Sequence, residues 1–245
     1  MASFFYLDHS GYRLEYNIDV GQLPFKPMKR HIFIVISIVG FLILTGLGIW
    51  QWERRAWKQN MLAEINAGLA SAPVTIEKIP EITFSWRPVL ADGSWVIGHL
   101  IRVFPTTFAG KVGSVYAAPF RLKDGGVIAV ELGWSDNEIE EISLPHTTSI
   151  IEGVLIPARK PSTFTPDNQP PKSWFWIDPI ALTRTAGLNN TQVSSLILRL
   201  TNPPEGLTGR QAKPNIPDNH LQYSFTWFGL AIAWLVIAAL VHRKR

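Results

Sequence analysis

Apolar residues along this chain gather into two uncharged runs, residues 32–52 and 223–241, while the remainder mixes apolar and polar positions. From Ile32 to Ile49 only Ser37, Gly40, Thr45, Gly46 and Gly48 are not strongly apolar. The other side chains contribute about −6 kcal/mol in sum to insertion at the bilayer centre. Trp50 and Trp52 mark an interfacial belt, and Glu53-Arg54-Arg55 closes the span. The second run holds more Ala and Trp. Each run reaches the roughly 20 residues that a bilayer crossing needs. A soluble protein would have to bury a helix that is apolar all round to use either one.

Between the runs, residues 53–222 supply one domain's worth of chain. Trp57, Met61, Ile65 and Leu69 recur at helical spacing, predicting a helix over 57–69 that Pro73 stops. Strand signals follow. Trp86–Ala91 and Ser94–Phe104 flank Asp92-Gly93, and Val115–Lys123 and Val127–Leu132 flank Asp124-Gly125-Gly126, so two hairpins are expected. Ile150–Ile156 and Leu196–Thr201 read as further strands. Asp178 as N-cap and Pro179 at the first helical position predict a short helix ending at Gly187. The five prolines of 157–172 predict an ordered loop or polyproline segment. The expected architecture is a membrane protein in which two transmembrane α-helices flank one extracytoplasmic α+β domain dominated by antiparallel sheet.

Charge sets the orientation. Lys26, Lys29 and Arg30 precede the first run, and Arg243, Lys244 and Arg245 follow the second. Two spans place both ends on one side, and these cations make that side cytoplasmic. The parts are then a cytoplasmic head (1–31), spans 32–52 and 223–241, an outer domain (53–222) and a tail (242–245). Residues 1–27 do not resemble a signal peptide, whereas Met28-Lys29-Arg30-His31 before Ile32 reads as the start of a signal anchor. Translation from Met28 is the expectation, checked by intact mass. The net charge of +4 over 245 residues is too mild and scattered to point to nucleic acid. Cysteine is absent, which excludes disulfides, thiolate metal sites and cysteine nucleophiles, and three methionines make no copper tract.

No hydrolase elbow, zincin helix, phosphate loop, dinucleotide fingerprint or EF-hand occurs. His99 and His146 stand without a second ligand at useful spacing, and Asn189-Asn190-Thr191 is a glycosylation pattern too short to carry weight. His220 differs by position, three residues before the second run. On a helix, His220, Tyr223, Ser224, Trp227, Ala231, Trp234 and Ala238 fall within about ±60° of one line. Ser37, Gly40, Gly48 and Gln51 likewise share a face of the first run, and small residues permit close helix approach. An imidazole at membrane depth beside aromatic rings is a candidate axial haem ligand. The competing reading is a helix cap or headgroup contact.

Several stretches carry a family resemblance. LGIWQWERRAWK (Leu47–Lys58) and DNHLQYSFTWFGLA (Asp218–Ala231) resemble the span-flanking signatures of the Surfeit locus protein 1 family. VYAAPF, DGGVIAVELGW, GVLIPARKPSTFTPDNQP and WFWIDP resemble its central domain in the same order, over residues 28–245 in all. The resemblance implies a non-enzymatic factor in cytochrome c oxidase assembly that handles haem a, with His220 as candidate iron ligand. Tyr223 and Trp227 would then cover the macrocycle, and Arg54, Arg55 or Lys58 would pair with its propionates. The implied partners are the catalytic subunit of a haem-copper oxidase, a haem a synthase and the lipid bilayer. The implied location is a bacterial inner membrane with the domain in the periplasm, or the mitochondrial inner membrane as its eukaryotic equivalent. One position departs: Leu132 stands before Gly133-Trp134 where the family usually has Arg, so no role of that Arg carries over. A divergent paralogue serving another oxidase would accommodate the change. The rival reading is a scaffold that holds an oxidase subunit and binds no haem. A tethered enzyme and a copper chaperone fit the residues less well.

Overall fold

The computed structural model describes residues 2–7, 13–18, 30–159, 161–214 and 218–243. They divide into two units, residues 1–56 with 218–245 and residues 57–217. Met28, Lys26, Lys29, Lys244 and Arg245 lie outside the described residues, and with them the expected start at Met28.

In the first unit, strands β1 (Ala2–Leu7) and β2 (Arg13–Ile18) pair antiparallel, from Ala2 opposite Ile18 to Leu7 opposite Arg13. The sequence reading had assigned no element to this head. The two apolar runs fold as the helices α1 (Arg30–Leu69) and α3 (His220–Arg243). Both are long and apolar enough to cross a membrane, and only 11% of each apolar window is buried. Such outward-facing apolar surface is what a membrane anchor presents and a soluble core helix does not. Glu53-Arg54-Arg55 ends the uncharged run without ending α1. The expected separate helix at 57–69 is the C-terminal part of that one helix, because the residues between favour helix well enough to continue it.

In the second unit, strands β3 (Val74–Ile76), β4 (Pro88–Trp95), β5 (Ile101–Phe108), β6 (Lys111–Leu122), β7 (Val127–Ser135), β8 (Ser149–Pro157) and β9 (Val193–Leu200) form one sheet. Their order is β3-β4-β8-β9-β7-β6-β5, and β4 also pairs with β6, so the sheet curls into a barrel-like ring. Antiparallel pairs dominate, but β3–β4 and β7–β9 are parallel. The sheet is therefore mixed. The β7–β9 pair becomes parallel because the chain between them leaves the strand, forms β8 and the helix α2 (Pro179–Thr185), and returns in the same direction.

Side-chain alternation sorts the core into two clusters. Tyr116, Ala118, Phe120 and Leu122 of β6 meet Leu196, Leu198 and Leu200 of β9 on one face. Val115, Ala117, Ala129, Trp134 and Ile197 pack on the other, beneath Leu182 of α2 and Trp174. All nine residues of β7 are buried, which explains why its sequence is mostly apolar. Leu132 is the extra residue of a bulge between Glu131 and Gly133, and it is fully buried in the first cluster. That environment suits Leu and no unpaired Arg.

One expected hairpin is absent. β4 runs straight through Asp92-Gly93, and the real turn lies at residues 96–100, where His99 also sits rather than in a strand. Gly93 pairs with Leu122, and a Cβ there would collide with the Arg121 carbonyl. The glycine serves the close approach that shuts the ring, not a turn. The other hairpin forms as expected: Gly125, with φ +88°, donates to the Leu122 carbonyl between β6 and β7. Helix α2 is also as read, Asp178 Oδ1 accepting from Ile180 N at 3.0 Å and Ala181 N at 3.1 Å. The proline-rich loop is ordered around Asn168, whose Oδ1 accepts from Phe175 N at 2.7 Å and whose Nδ2 donates to the Trp176 carbonyl at 3.1 Å.

Candidate functional site

Within the first unit, α1 and the antiparallel α3 are joined by polar contacts at four levels. At one end Arg30 Nη2 lies 3.2 Å from His242 Nε2. Trp234 Nε1 donates to the Ser37 carbonyl at 2.9 Å, and Ser224 Oγ donates to the Gly48 carbonyl at 3.0 Å. His220 Nδ1 meets Gln51 Oε1 at 2.8 Å. Small residues make this approach possible. A Cβ on Gly40 would lie 2.7 Å from the Trp234 ring, and one on Gly48 would lie 2.6 Å from the Phe228 ring. Ser224 and Ala231 are the buried residues of α3. The face expected to carry Ser37, Gly40, Gly48 and Gln51 therefore meets the face carrying His220, Ser224, Ala231 and Trp234.

His220 is the first residue of α3. Its backbone N–H donates to Asp218 Oδ1 at 3.3 Å, which satisfies one amide at the helix start. Its half-buried ring is oriented by Gln51, and an amide oxygen can only accept. With Gln51 Oε1 accepting, His220 Nδ1 is the donor, and in the neutral ring the lone pair lies on Nε2. Metal-ligating histidines are held in this way, with the other ring nitrogen donating to an oxygen. Sequence reasoning placed Gln51 on the correct helix face without assigning it to the site. No local signal could have done so, because the two residues are 169 positions apart.

The other expected site residues distribute as follows. Trp227 is half-buried, and Tyr223, 54% exposed, turns outward from the face it was expected to share. Arg54 and Arg55 follow Gln51 on α1, and Arg55 Nε lies 3.9 Å from Asp218 Oδ2. Lys58 belongs to the second unit and is only 5% exposed. Among the described residues no group of three or more His, Asp or Glu side chains could hold a metal ion.

The family model described as the SURF1 family matches residues 38–232. The chain belongs to the SURF1 family. It is similar to a SURF1-like protein of Rickettsia felis, 28% identical over 232 residues that cover 89% of this chain and 98% of the relative. It is also similar to Surfeit locus protein 1 of Homo sapiens, 25% identical over 236 residues covering 82% and 73%, and to its namesake in Rattus norvegicus, 27% identical over 218 residues covering 77% and 68%. The SURF1 match spans most of α1, the whole sheet and the first half of α3, so the His220–Gln51 pair lies inside it. Two helices able to span a bilayer, in a SURF1 family member, fit a membrane-anchored protein.

Proposed function

We propose that this chain is a membrane-anchored, non-enzymatic assembly factor for a haem-copper terminal oxidase, cytochrome c oxidase, and that it binds haem a for delivery to the catalytic subunit. The observation that carries the haem step is the 2.8 Å bond from His220 Nδ1 to Gln51 Oε1, which presents Nε2 as a ligand. Haem, when bound, would supply an iron that His220 would hold through Nε2. The protein offers one such nitrogen, so its grip stays moderate and release to a partner stays possible. Tyr223 and Trp227 offer aromatic surface on the same helix, one and two turns beyond His220. Arg54, Arg55 and Lys58 are the propionate partners to test. The haem a synthase is the donor in this reading and the oxidase catalytic subunit the acceptor. The anchored domain faces the periplasm of a bacterial inner membrane, as the flanking cations imply.

Co-expression with a haem a synthase, purification in mild detergent and an optical spectrum test this. Near-stoichiometric haem a that is lost in a folded His220→Ala protein is the expected result. Haem retained by His220→Ala would move the ligand elsewhere. No haem in the wild type, with the synthase active, would leave the scaffold reading. Charge-neutral replacement of Arg54, Arg55 and Lys58 together, beside an Arg54→Gln/Arg55→Gln pair, tests the propionates: unchanged occupancy removes them from the site.

A further inference from the structure

Glu131 lies in the middle of β7 and is 2% exposed, an acid inside an otherwise apolar strand. Burying a carboxylate requires partners. Arg199, its parallel neighbour on β9, forks onto it through Nε and Nη2, each at 2.9 Å, and donates Nη1 to the Gln211 carbonyl at 2.7 Å. Arg210 Nη1 reaches the same carboxylate at 3.2 Å. Both oxygens of Glu131 are thereby occupied. Arg159, exposed just beyond β8, lines the same cavity, which has a volume of about 130 Å³. Among the described residues Arg159 has no hydrogen-bond or ion-pair partner, and Arg210 donates to Glu131 alone.

The lining is unbalanced. Three arginines and one glutamate line the cavity, a formal excess of two positive charges in a partly enclosed space whose other walls include Val103, Ile156, Phe175 and Trp176. Burial pulls the Arg210 guanidinium below its ordinary value; the Glu131 carboxylate opposes this, and the Arg199 and Arg159 charges add to it. An anion entering between these arginines would relieve that repulsion and accept from donors that now lack an acceptor.

We propose that this cavity is a binding site for a small oxyanion, a phosphate or a short-chain carboxylate, held by Arg159 and Arg210 while Glu131 keeps Arg199 fixed behind them. The cavity, about 130 Å³ and open on one side, has room for an ion of that size. Planar guanidinium forks suit both kinds of oxyanion. The site uses none of the groups invoked for haem.

The test is calorimetric titration of the full chain in mild detergent and low-chloride buffer, once with inorganic phosphate and once with sodium propionate, with thermal unfolding read alongside. Saturable one-to-one binding of either anion, with a raised unfolding temperature, is expected. Arg159→Gln should weaken it by about ten-fold or more, and Arg159→Lys, which keeps the charge and loses the fork, by less. Phosphate binding alone assigns a tetrahedral ligand and propionate binding alone a carboxylate; both support the site. No saturable binding of either anion, or binding that Arg159→Gln and Arg210→Gln leave unchanged, overturns it. Should Arg210→Gln fail to fold, Arg159→Gln still decides, because Arg159 lies outside the Glu131 pairing.

Discussion

The paired helices and the β domain use the same apolar residue types in opposite ways. In the β domain Leu, Ile, Val and Phe point inward from alternating positions and are nearly inaccessible. On α1 and α3 many point outward, Ile36, Val39, Leu42, Phe225, Ile232 and Ile237 among them, and the contact surface brings Gly40 and Gly48 against the Trp234 and Phe228 rings with Ser, Ala and Gln beside them. Hydrophobic burial drives the first arrangement. It cannot drive helix pairing in a bilayer, where lipid is as apolar as Leu, so close backbone approach and interhelical hydrogen bonds take over. A polar residue accordingly means opposite things in the two regions. In the helices it marks the seam, and in the sheet it marks a costly exception such as Glu131.

Core truncation should separate the regions most strongly. Phe120→Ala, at a side chain with 0% exposure, is expected to cost the β domain about 3–5 kcal/mol in chemical denaturation. The same deletion on the outward helix face, Ile232→Ala at 64% exposure, should cost less than about 1 kcal/mol in detergent. Equal losses would mean that α3 is packed against protein there. Next in size, Arg199→Ala removes the fork from buried Glu131 and should cost about 3 kcal/mol, whereas an exposed ion pair would cost far less.

At the seam, Gln51→Leu frees the His220 ring and should weaken haem affinity about 10- to 100-fold by optical titration, while stability changes little. Ser224→Ala, which deletes one hydrogen bond between helices, should cost about 0.6 kcal/mol of pairing. The smallest effect is on the surface. The Lys111 ammonium, by hydrogen bond and charge, holds the Asp136 carboxyl below its ordinary value. Its contribution is therefore present at neutral pH and fades as pH falls below the usual carboxylate range. Asp136→Asn should lower the neutral part of a melting-temperature profile slightly and leave its acid limit unmoved, because the contribution it removes is already lost there.

Much of this was legible because it is local. Uncharged runs long enough to span, the Asp178-Pro179 helix start, the turn at Asp124-Gly125-Gly126 and the motifs around Trp50 and Gln222 can each be read within a dozen residues. Of the face read on α3, His220, Ser224, Ala231 and Trp234 lie toward α1, whereas Tyr223 turns outward although 100° per residue places it near the same line. Asp92-Gly93 misled because a glycine that permits a turn and one that permits backbone contact look alike until the partner strand is known. The head pairing of β1 with β2 and the parallel β7–β9 neighbours were also beyond reach, because pairing has no local code as strong as a cap or a period.

By itself, then, the sequence determined which runs are apolar enough for lipid and most of the helices and strands between residues 32 and 243, and its motifs carried the family resemblance. The elements follow from periodicity, capping and composition, which act over a few bonds. Only the tertiary structure decided that Gln51 orients His220, that β4 meets β6 to close the ring, and that three arginines crowd one buried glutamate. Each of those joins residues far apart along the chain, and such contacts are selected by the packing of the whole fold rather than by any neighbouring residue.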